Sequence, residues 1–438
     1  MNLLSKIRDF ESSEHYKYFR YGKDYYTGDN TEIMKRRKCM FNEISMSLLD
    51  IPYRANHKYP SGFFRIVVDQ KVQYLLGNGV KAEDDVLEAL DNATGGLYPF
   101  LIKSATSASQ QGIQWVYMYV DSGSLKFSLV DPENVAPVYK YGRLDSVIYT
   151  FDESEISVAE VWTAEKMERY EKTKKDTEFQ MVSESAHYTT IESFGGRKVS
   201  EQPHSFGMIP FVCLRNNQYS NSDLKDIKAL IDIYDIIASD FANNIDDMQD
   251  AFYVVKNFGG ESLSQFMSDL KQYKSIQVGD DGNVSAEQLE IPTEARKVFI
   301  EQLNKDIFKF AMAVDATSIS GGSITNVVIK AMFANLDLKC DKFEMEVTDY
   351  LNAMLGAINL FYGTSLQTDY TFDRSMIINR TEVLTELPKQ TDLSLRTRLA
   401  SNPLVQNVDE ELKQLEIEEA EQVNKLGGGM GFDDGEGQ

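Results

Sequence analysis

An apolar seam between residues 224 and 248 constrains the fold of this chain more than any other sequence feature. Its members lie alternately three and four residues apart, a spacing that places them along one side of a single α-helix. They are Leu224, Ile227, Ile231, Tyr234, Ala238, Phe241, Ile245 and Met248. A helix with so narrow an apolar stripe is predicted to pack side by side with a similar helix, not to be buried in a globular core.

Aspartates occupy much of the remaining surface of this predicted helix. They are Asp223, Asp226, Asp232, Asp235, Asp240, Asp246, Asp247 and Asp250. Paired carboxylates can hold Mg²⁺ in an enzyme, but these recur around the polar face and no single pair is set apart. The pattern therefore favours a solvated or channel-facing acidic surface over a two-metal site.

The acidic helix is the first of a series of predicted elements that continues to residue 363. A β-bearing insert follows it, in which 274–278 and 284–289 are predicted to form a small hairpin. A second helix then begins at Pro292, and a short hinge leads to a third helix over 325–362. At about 1.5 Å per residue the third helix would be roughly 55 Å long.

The hinge between the second and third helices is made mostly of small residues. They are Thr317, Ser318, Ile319, Ser320, Gly321, Gly322 and Ser323. Two glycines, four Ser or Thr residues and no charge allow the backbone to change conformation at low cost. A plain connector between two helices explains the same residues equally well, so the residues alone leave both interpretations open.

The remainder of the chain predicts an α+β fold. Residues 1–112 are mainly helical, with one helix over 7–26 and an amphipathic helix after Ser61. The inward positions of the amphipathic helix are Phe64, Val67, Val68, Val72, Leu75 and Leu76. Residues 113–215 alternate apolar and polar positions between turn signals, which predicts an antiparallel meander because no helices fit between the strands. Residues 408–424 predict a late acidic helix, and 380–387 a shorter one.

Composition excludes several classes of protein. A net charge of −23, from 68 acidic and 45 basic residues, argues against a protein that grips nucleic acid by its phosphates. Three cysteines without a CxxC pair predict reduced thiols in an intracellular product. No stretch approaches the roughly 20 apolar residues of a membrane span. No secretory signal is recognised either, so assembly in the cytoplasm is expected.

The sequence contains no recognisable catalytic or cofactor-binding motif. Its four histidines show no metal-binding spacing, and phosphate-loop, dinucleotide-binding and nucleophile-elbow motifs are absent. The segment 280–282 resembles a calcium loop only superficially, because Gln277, Gly279 and Gln288 would occupy ligand positions. We therefore predict no catalytic residue, no metal and no cofactor, and a hairpin turn at 280–282.

The order of helix, small β insert, helix, flexible loop and long helix resembles the portal proteins of tailed bacteriophages, the head–tail connectors. Three segments carry the local resemblance, which is to the siphophage-type branch of that family. They are Tyr21–Gly28 (YGKDYYTG), Arg65–Gly77 (RIVVDQKVQYLLG) and Leu224–Ile245 (LKDIKALIDIYDIIASDFANNI). The resemblance extends from about residue 16 to about residue 420.

This resemblance implies a ring, usually of twelve subunits, at one vertex of the capsid. Double-stranded DNA would be pumped through the ring by a terminase and would leave through it at infection. The implied wing covers 1–219, with helices in 1–112 and an antiparallel sheet in 113–215. Two stem helices follow at 220–250 and 295–315, with a small α/β clip at 251–294 between them. The remaining regions are a tunnel loop at 316–325, a long wing helix with a return strand at 326–377, a helical crown at 378–424 and a disordered acidic tail at 425–438.

The resemblance also implies roles for particular residues. The tunnel-loop residues that would meet DNA are Thr317, Ser318, Ile319, Ser320, Gly321, Gly322, Ser323, Thr325 and Asn326. The acidic residues of the stem are Asp232, Asp235, Asp240, Asp246, Asp247 and Asp250. The clip residues that would dock partners are Tyr273, Lys274, Asp280, Asp281 and Gly282.

The implied partners are the terminase large subunit, a head–tail adaptor, and the major capsid and scaffolding proteins, with no membrane and no cofactor. The implied location is the portal vertex of the virion, after assembly in the host cytoplasm. Two other function classes remain open at this stage. One is a different ring- or filament-forming scaffold or adaptor, and the other is a nucleic-acid enzyme with an unrecognised acidic metal site.

Overall fold

The computed structural model describes residues 3–42, 47–50, 55–194, 197–247, 252–256, 283–287, 293–319, 325–375, 383–385, 387–405 and 407–427. The chain divides into two compact units. One comprises Met1–Val314 with Leu336–Ser375, and the other comprises Asp315–Asn335 with Met376–Gln438. Within the described residues every sheet lies in the first unit.

The α-helices of the described residues lie before residue 112 and after residue 227. They are α1 (Leu3–Glu11), α2 (Glu14–Thr27), α3 (Thr31–Lys35), α4 (Phe63–Leu76), α5 (Asp84–Thr94), α6 (Leu97–Gln111), α7 (Lys228–Asp247), α8 (Thr293–Phe310), α9 (Asn326–Tyr362), α10 (Leu395–Ala400) and α11 (Val408–Gly427). The predicted helix over 7–26 is interrupted, because Ser13 accepts a hydrogen bond from the Tyr16 amide and so caps a new helix.

The bounds of the later helices follow the predictions with three differences. The second stem helix, predicted to reach 315, ends at Phe310, because Met312 adopts a left-handed backbone conformation. The acidic helix α7 begins at Lys228 and not at 220, since turns occupy 223–227. The long helix α9 has 37 residues, as its uninterrupted pattern predicted. In the second unit, α11 continues through Gly427, past the predicted end at 424. There Arg396 of α10 lies 2.9 Å from Asp409 of α11.

All paired strands of the described residues are antiparallel. They are β1 (Cys39–Asn42), β2 (Ser47–Asp50), β3 (Val80–Lys81), β4 (Ile113–Asp121), β5 (Ser124–Val130), β6 (Val135–Lys140), β7 (Arg143–Glu153), β8 (Ile156–Trp162), β9 (Met167–Thr173), β10 (Gln180–Ser185), β11 (Tyr188–Phe194), β12 (Arg197–His204), β13 (Phe211–Arg215), β14 (Phe252–Lys256), β15 (Asn283–Glu287) and β16 (Thr371–Phe372).

The predicted antiparallel strands form two sheets, and the five-stranded one is a meander, whereas in the three-stranded one β13 returns to pair with β4. One has five strands in the order β10-β9-β8-β7-β6, and the other has three in the order β13-β4-β5. The two-stranded β11–β12 hairpin was not predicted. In the insert, β15 pairs with β14, placing Phe252 opposite Glu287. The predicted partner strand at 274–278 lies outside the described residues.

Two apolar clusters join the N-terminal helices to the sheets. Phe19 of α2 packs with Trp115, Trp162 and Phe211, which come from both large sheets. A second cluster, around Ile7 of α1, includes buried residues of β6, β7 and β8. Because an amphipathic helix must cover its apolar face, these contacts explain why α1 and α2 fold onto the sheets.

Helix α4 is buried over most of its circumference. All six positions predicted to face inward are buried. The unexpected buried residue is Lys71, which is only 1% exposed. A buried cation requires a compensating partner, because transfer of a charge out of water is costly.

The partner of Lys71 is Asp223, at the start of the turns that precede α7. Lys71 Nζ lies 3.0 Å from Asp223 Oδ2, and Lys339 Nζ of α9 lies 3.2 Å from Asp223 Oδ1. Asn216 donates to Asp223 Oδ1 and accepts from Lys71. The ring of Phe343 lies 3.9 Å from Lys71 Nζ. We call Lys71, Asn216, Asp223 and Lys339 the buried ion cluster.

The protonation equilibria of the cluster follow from burial and pairing. Burial lowers the pKa of Lys71 to about 8, against the attraction of Asp223. Burial alone would raise the pKa of Asp223, but Lys339 and Lys71 outweigh it and hold this pKa at about 2. Both groups are therefore predominantly charged near neutral pH.

We expect Asp223→Asn to lower the free energy of unfolding by about 3 kcal/mol at pH 7, because it leaves Lys71 buried without its counter-charge. Urea unfolding followed by tryptophan fluorescence measures this, since Trp115 and Trp162 both lie in the core of the first unit. A matched control is Glu155→Gln. Glu155 lies 3.9 Å from Lys174 in an exposed pair, and its loss should cost less than about 1 kcal/mol.

The same variant tests the acid dependence of stability. The folded-state pKa of Asp223 lies below the ordinary value of 3.8. Its contribution is therefore present above about pH 4 and lost as the pH falls towards 2, and amounts to about 2 kcal/mol. Asp223→Asn should remove this part of the acid dependence. An identical acid dependence in wild type and variant would contradict the pairing.

Candidate functional site

The polar face of α7 binds the backbone of another segment of the chain. Ser61 N donates to Asp235 Oδ1 at 3.0 Å, Tyr59 N donates to Ser239 Oγ at 2.9 Å, and His57 N donates to Asn243 Oδ1 at 2.6 Å. The three helix residues are buried. We call residues 57–61 the strap.

The spacing of these contacts has a geometric basis. Asp235, Ser239 and Asn243 are four residues apart, a step of about 6 Å along a helix. Their partners in the strap are two residues apart, a step of about 6.6 Å in an extended chain. One polar row of α7 can therefore satisfy alternate backbone amides of the strap, of which the Ser61 N–H is buried and most needs a protein partner.

Asp235 lies at one end of this contact and is fully buried. It also accepts a hydrogen bond from Asn30 Nδ2, and Asn30 in turn donates to the Ser61 carbonyl at 3.1 Å. Burial raises the pKa of Asp235, while the hydrogen bonds from Asn30 and Ser61 oppose that rise. The prediction that Asp235 belongs to a solvated or channel-facing acidic surface is therefore wrong.

The other described stem acids also contact the N-terminal part of the chain. Asp232 accepts from the Tyr25 hydroxyl and lies 2.8 Å from Lys228. Asp240 lies 2.9 Å from Arg36, and Asp246 lies 3.1 Å from His57 Nε2. Of the predicted apolar seam, residues 224, 227 and 231 are buried, but Ile245 is 50% exposed. Residue spacing also could not show that the polar side of α7 is engaged by residues some 200 positions earlier.

Most residues of the segment Tyr21–Gly28 have an identifiable structural role. At Gly22 a Cβ would lie 1.9 Å from the Gln110 carbonyl oxygen, so α2 can approach the end of α6 only with glycine there. Lys23 bridges two acidic residues of the sheet region, at 2.6 and 3.0 Å. The Tyr26 hydroxyl donates to Asp69 of α4 at 2.8 Å. Gly28 ends α2 in the left-handed conformation, with φ 90°.

Helix α4, which contains most of the second resemblance segment, contacts each of the three later helical elements. Lys71 reaches the turns before α7. The Gln70 side chain pairs with both the N–H and the C=O of Val314, just after α8. The Tyr74 hydroxyl donates to Asp337 of α9 at 3.0 Å. Sequence patterns placed α4 correctly but gave no sign of these polar contacts.

The structure describes the two ends of the predicted hinge. Asp315 accepts hydrogen bonds from the Thr317 amide and hydroxyl, at 2.9 and 2.6 Å, and Ala316–Ile319 form a short 3₁₀ turn. Thr325 precedes α9, whose first residue is Asn326, and its hydroxyl lies 3.5 Å from the Val328 amide. The hinge residues Ser320, Gly321, Gly322 and Ser323 lie outside the described part.

Other predicted site residues also lie outside the described positions, and their roles stay predictions. They are Asp247 (side chain), Asp250, Tyr273, Lys274, Asp280, Asp281 and Gly282. Within the described part of the chain, no group of three or more His, Cys, Asp or Glu side chains is arranged to hold a metal ion. None of the helices in that part has the length and apolarity needed to cross a membrane.

The fold and the order of its helices define an α+β protein in which a helix, a paired-strand insert, a second helix and a short loop lead into one long helix. The family model described as "Phage portal protein, SPP1 Gp6-like" matches residues 9–425. This chain therefore belongs to the phage portal protein family, and the resemblance seen in its sequence is confirmed.

Curated relatives are similar over nearly the whole chain. The portal protein of Clostridium phage phiCD119 is 28% identical over 435 residues, covering 91% of both chains. The portal protein of Bacillus phage SPP1 is 27% identical over 443 residues, covering 94% of this chain and 86% of its own. A chain of the solved virion of a native gene transfer agent (GTA) particle covers 77% of this chain and 88% of its own, with 11% identity and a TM-score of 0.46. This structural similarity is low.

We expect Asp235→Ala to lower the free energy of unfolding by about 2–4 kcal/mol, because it leaves the Ser61 N–H and one of the two N–H groups of the Asn30 side chain buried without an acceptor. Urea unfolding monitored by tryptophan fluorescence measures the loss. The control is Asp226→Ala, at an exposed acid just before α7, which should change stability by less than about 0.5 kcal/mol. Equal stability of the two variants would show that the strap does not depend on Asp235.

Proposed function

We propose that this chain is the subunit of a portal ring of twelve copies at one vertex of a phage capsid. Double-stranded DNA passes through the ring during packaging and ejection. The observation that carries the proposal is the family match over residues 9–425, which includes every element from α1 to α11 at least in part. The order α7, β14–β15, α8, loop and α9 supports it.

The regions of the chain take their roles from this proposal. Residues 1–219 form the wing, 220–250 and 295–315 the stem, and 251–294 the clip. Residues 316–325 form the tunnel loop, 326–377 the long wing helix with its return strand, and 378–424 the crown.

A direct contact between the two stem helices and the wing supports the division. The Phe63 ring of α4 packs on Tyr234 of α7 and Phe308 of α8, with centroids 4.8 and 5.8 Å apart.

An acidic channel wall is part of the proposal, limited to the last turn of the first stem helix and the residues after it. Asp246 has a side chain that is 52% exposed, and Asp247 and Asp250 follow it in sequence. Twelve copies of a chain with a net charge of −23 would also give the ring a strongly negative field. Such a wall repels phosphates, so DNA can slide without being trapped.

The proposed partners follow from the same assignment. The terminase large subunit and later a head–tail adaptor would dock at the clip, where Tyr273, Lys274 and 280–282 are the candidate contacts. The major capsid and scaffolding proteins would surround the wing, after assembly of the ring in the host cytoplasm. The chain itself conducts DNA without chemistry, because the terminase supplies the energy of translocation.

Negative-stain electron microscopy of the purified protein is expected to show rings with a central opening wide enough for a DNA duplex. Solid particles or filaments would contradict the portal assignment and favour another scaffold. Incubation of the same preparation with DNA and Mg²⁺ should leave the DNA intact. Cleavage that is abolished by Asp232→Ala or Asp246→Ala would instead establish a nucleic-acid enzyme.

A further inference from the structure

The turn that ends α8 has an unusual residue at its centre. Met312 adopts a left-handed conformation with φ 54°, a position that helix ends usually give to glycine. The amide of Ala313 donates to the Phe308 carbonyl at 2.9 Å, and that of Met312 to the Lys309 carbonyl at 3.2 Å. This pair of bonds is the Schellman arrangement, built here on a residue whose side chain disfavours it.

Side chains from two other helices hold this turn on either side of Met312. On one side, Lys339 Nζ of α9 donates to the Ala311 carbonyl at 2.9 Å. On the other side, Gln70 of α4 donates to the Val314 carbonyl at 2.8 Å and accepts from the Val314 N–H at 3.0 Å. The Gln70 amide thus pairs with both backbone groups of Val314, as a neighbouring strand would.

Both holding residues are connected to the buried ion cluster. Gln70 is adjacent to Lys71 in α4, and Lys71 and Lys339 both bind Asp223. The turn at the end of α8 is therefore tied to the turns from which α7 begins. Only Asp315 separates Val314 from the predicted tunnel loop at 316–325, so the position of Val314 constrains where that loop starts.

We propose that Gln70 is a positioning residue that, with Lys339, clamps the turn 311–314 and so fixes the point at which the chain enters the tunnel loop. The inference rests on the proposed function for the loop at 316–325. It assigns to Gln70 the task of holding the turn that precedes the loop, although Gln70 itself need not touch DNA.

The first test is hydrogen–deuterium exchange on the full chain for peptides covering 308–319. Gln70→Met removes both hydrogen bonds at similar side-chain size, and should raise the exchange rate at Val314 roughly threefold to tenfold. Gln70→Glu keeps the acceptor for the Val314 N–H but loses the donor to its carbonyl, so its rate should lie between those of wild type and Gln70→Met. The control is Gln73→Met, one turn along α4 at an exposed position, which should exchange as wild type.

The second test is cryo-electron microscopy of assembled rings of wild type, Gln70→Met and Gln73→Met. We expect intact rings in all three, with the loop displaced or its density weakened only in Gln70→Met. Unchanged exchange at Val314 in Gln70→Met would overturn the clamp. Faster exchange with an unchanged loop would overturn the positioning role. Absence of rings from wild type would overturn the proposed function, while the exchange experiment would still decide whether the clamp exists.

Discussion

A single buried carboxylate, Asp223, connects parts of the chain that are far apart in sequence. Lys71 of α4 and Lys339 of α9 both bind it, and Asn216 completes its hydrogen bonds. Removal of such charges from water costs several kcal/mol per ion, and only close, fully satisfied contacts repay that cost. The three charges therefore tolerate little displacement, and the start of the acidic helix is fixed relative to α4 and α9.

Farther along α7, neutral and acidic side chains hold the helix in place along its length. Asp235, Ser239 and Asn243 bind the strap through its backbone, while Asp232 and Asp240 bind Tyr25 and Arg36. Much of the acidity of α7 is thus used inside the subunit. In the proposed function, the surface that repels DNA therefore begins mainly at Asp246, which is a narrower assignment than the sequence pattern suggested.

Local patterns predicted the elements well where one face is apolar. The inward residues of α4, the length of α9 and the strands of the meander all follow from helical or alternating periodicity. The β11–β12 hairpin was missed because its strands are mostly polar, although Gly195-Gly196 between them is a turn signal that could have indicated it. The burial of Lys71 and Asp235 depends on partners more than 140 residues away, so no local pattern contains it.

The measurement that tests this dependence on Asp223 most directly is a double-mutant cycle between Lys71→Met and Asp223→Asn, by urea unfolding at pH 7. Residues joined in a buried ionic network should be strongly coupled, whereas independent residues lose stability additively. We predict a coupling free energy above about 1 kcal/mol. A coupling free energy indistinguishable from zero would contradict the view that this carboxylate fixes the start of the acidic helix.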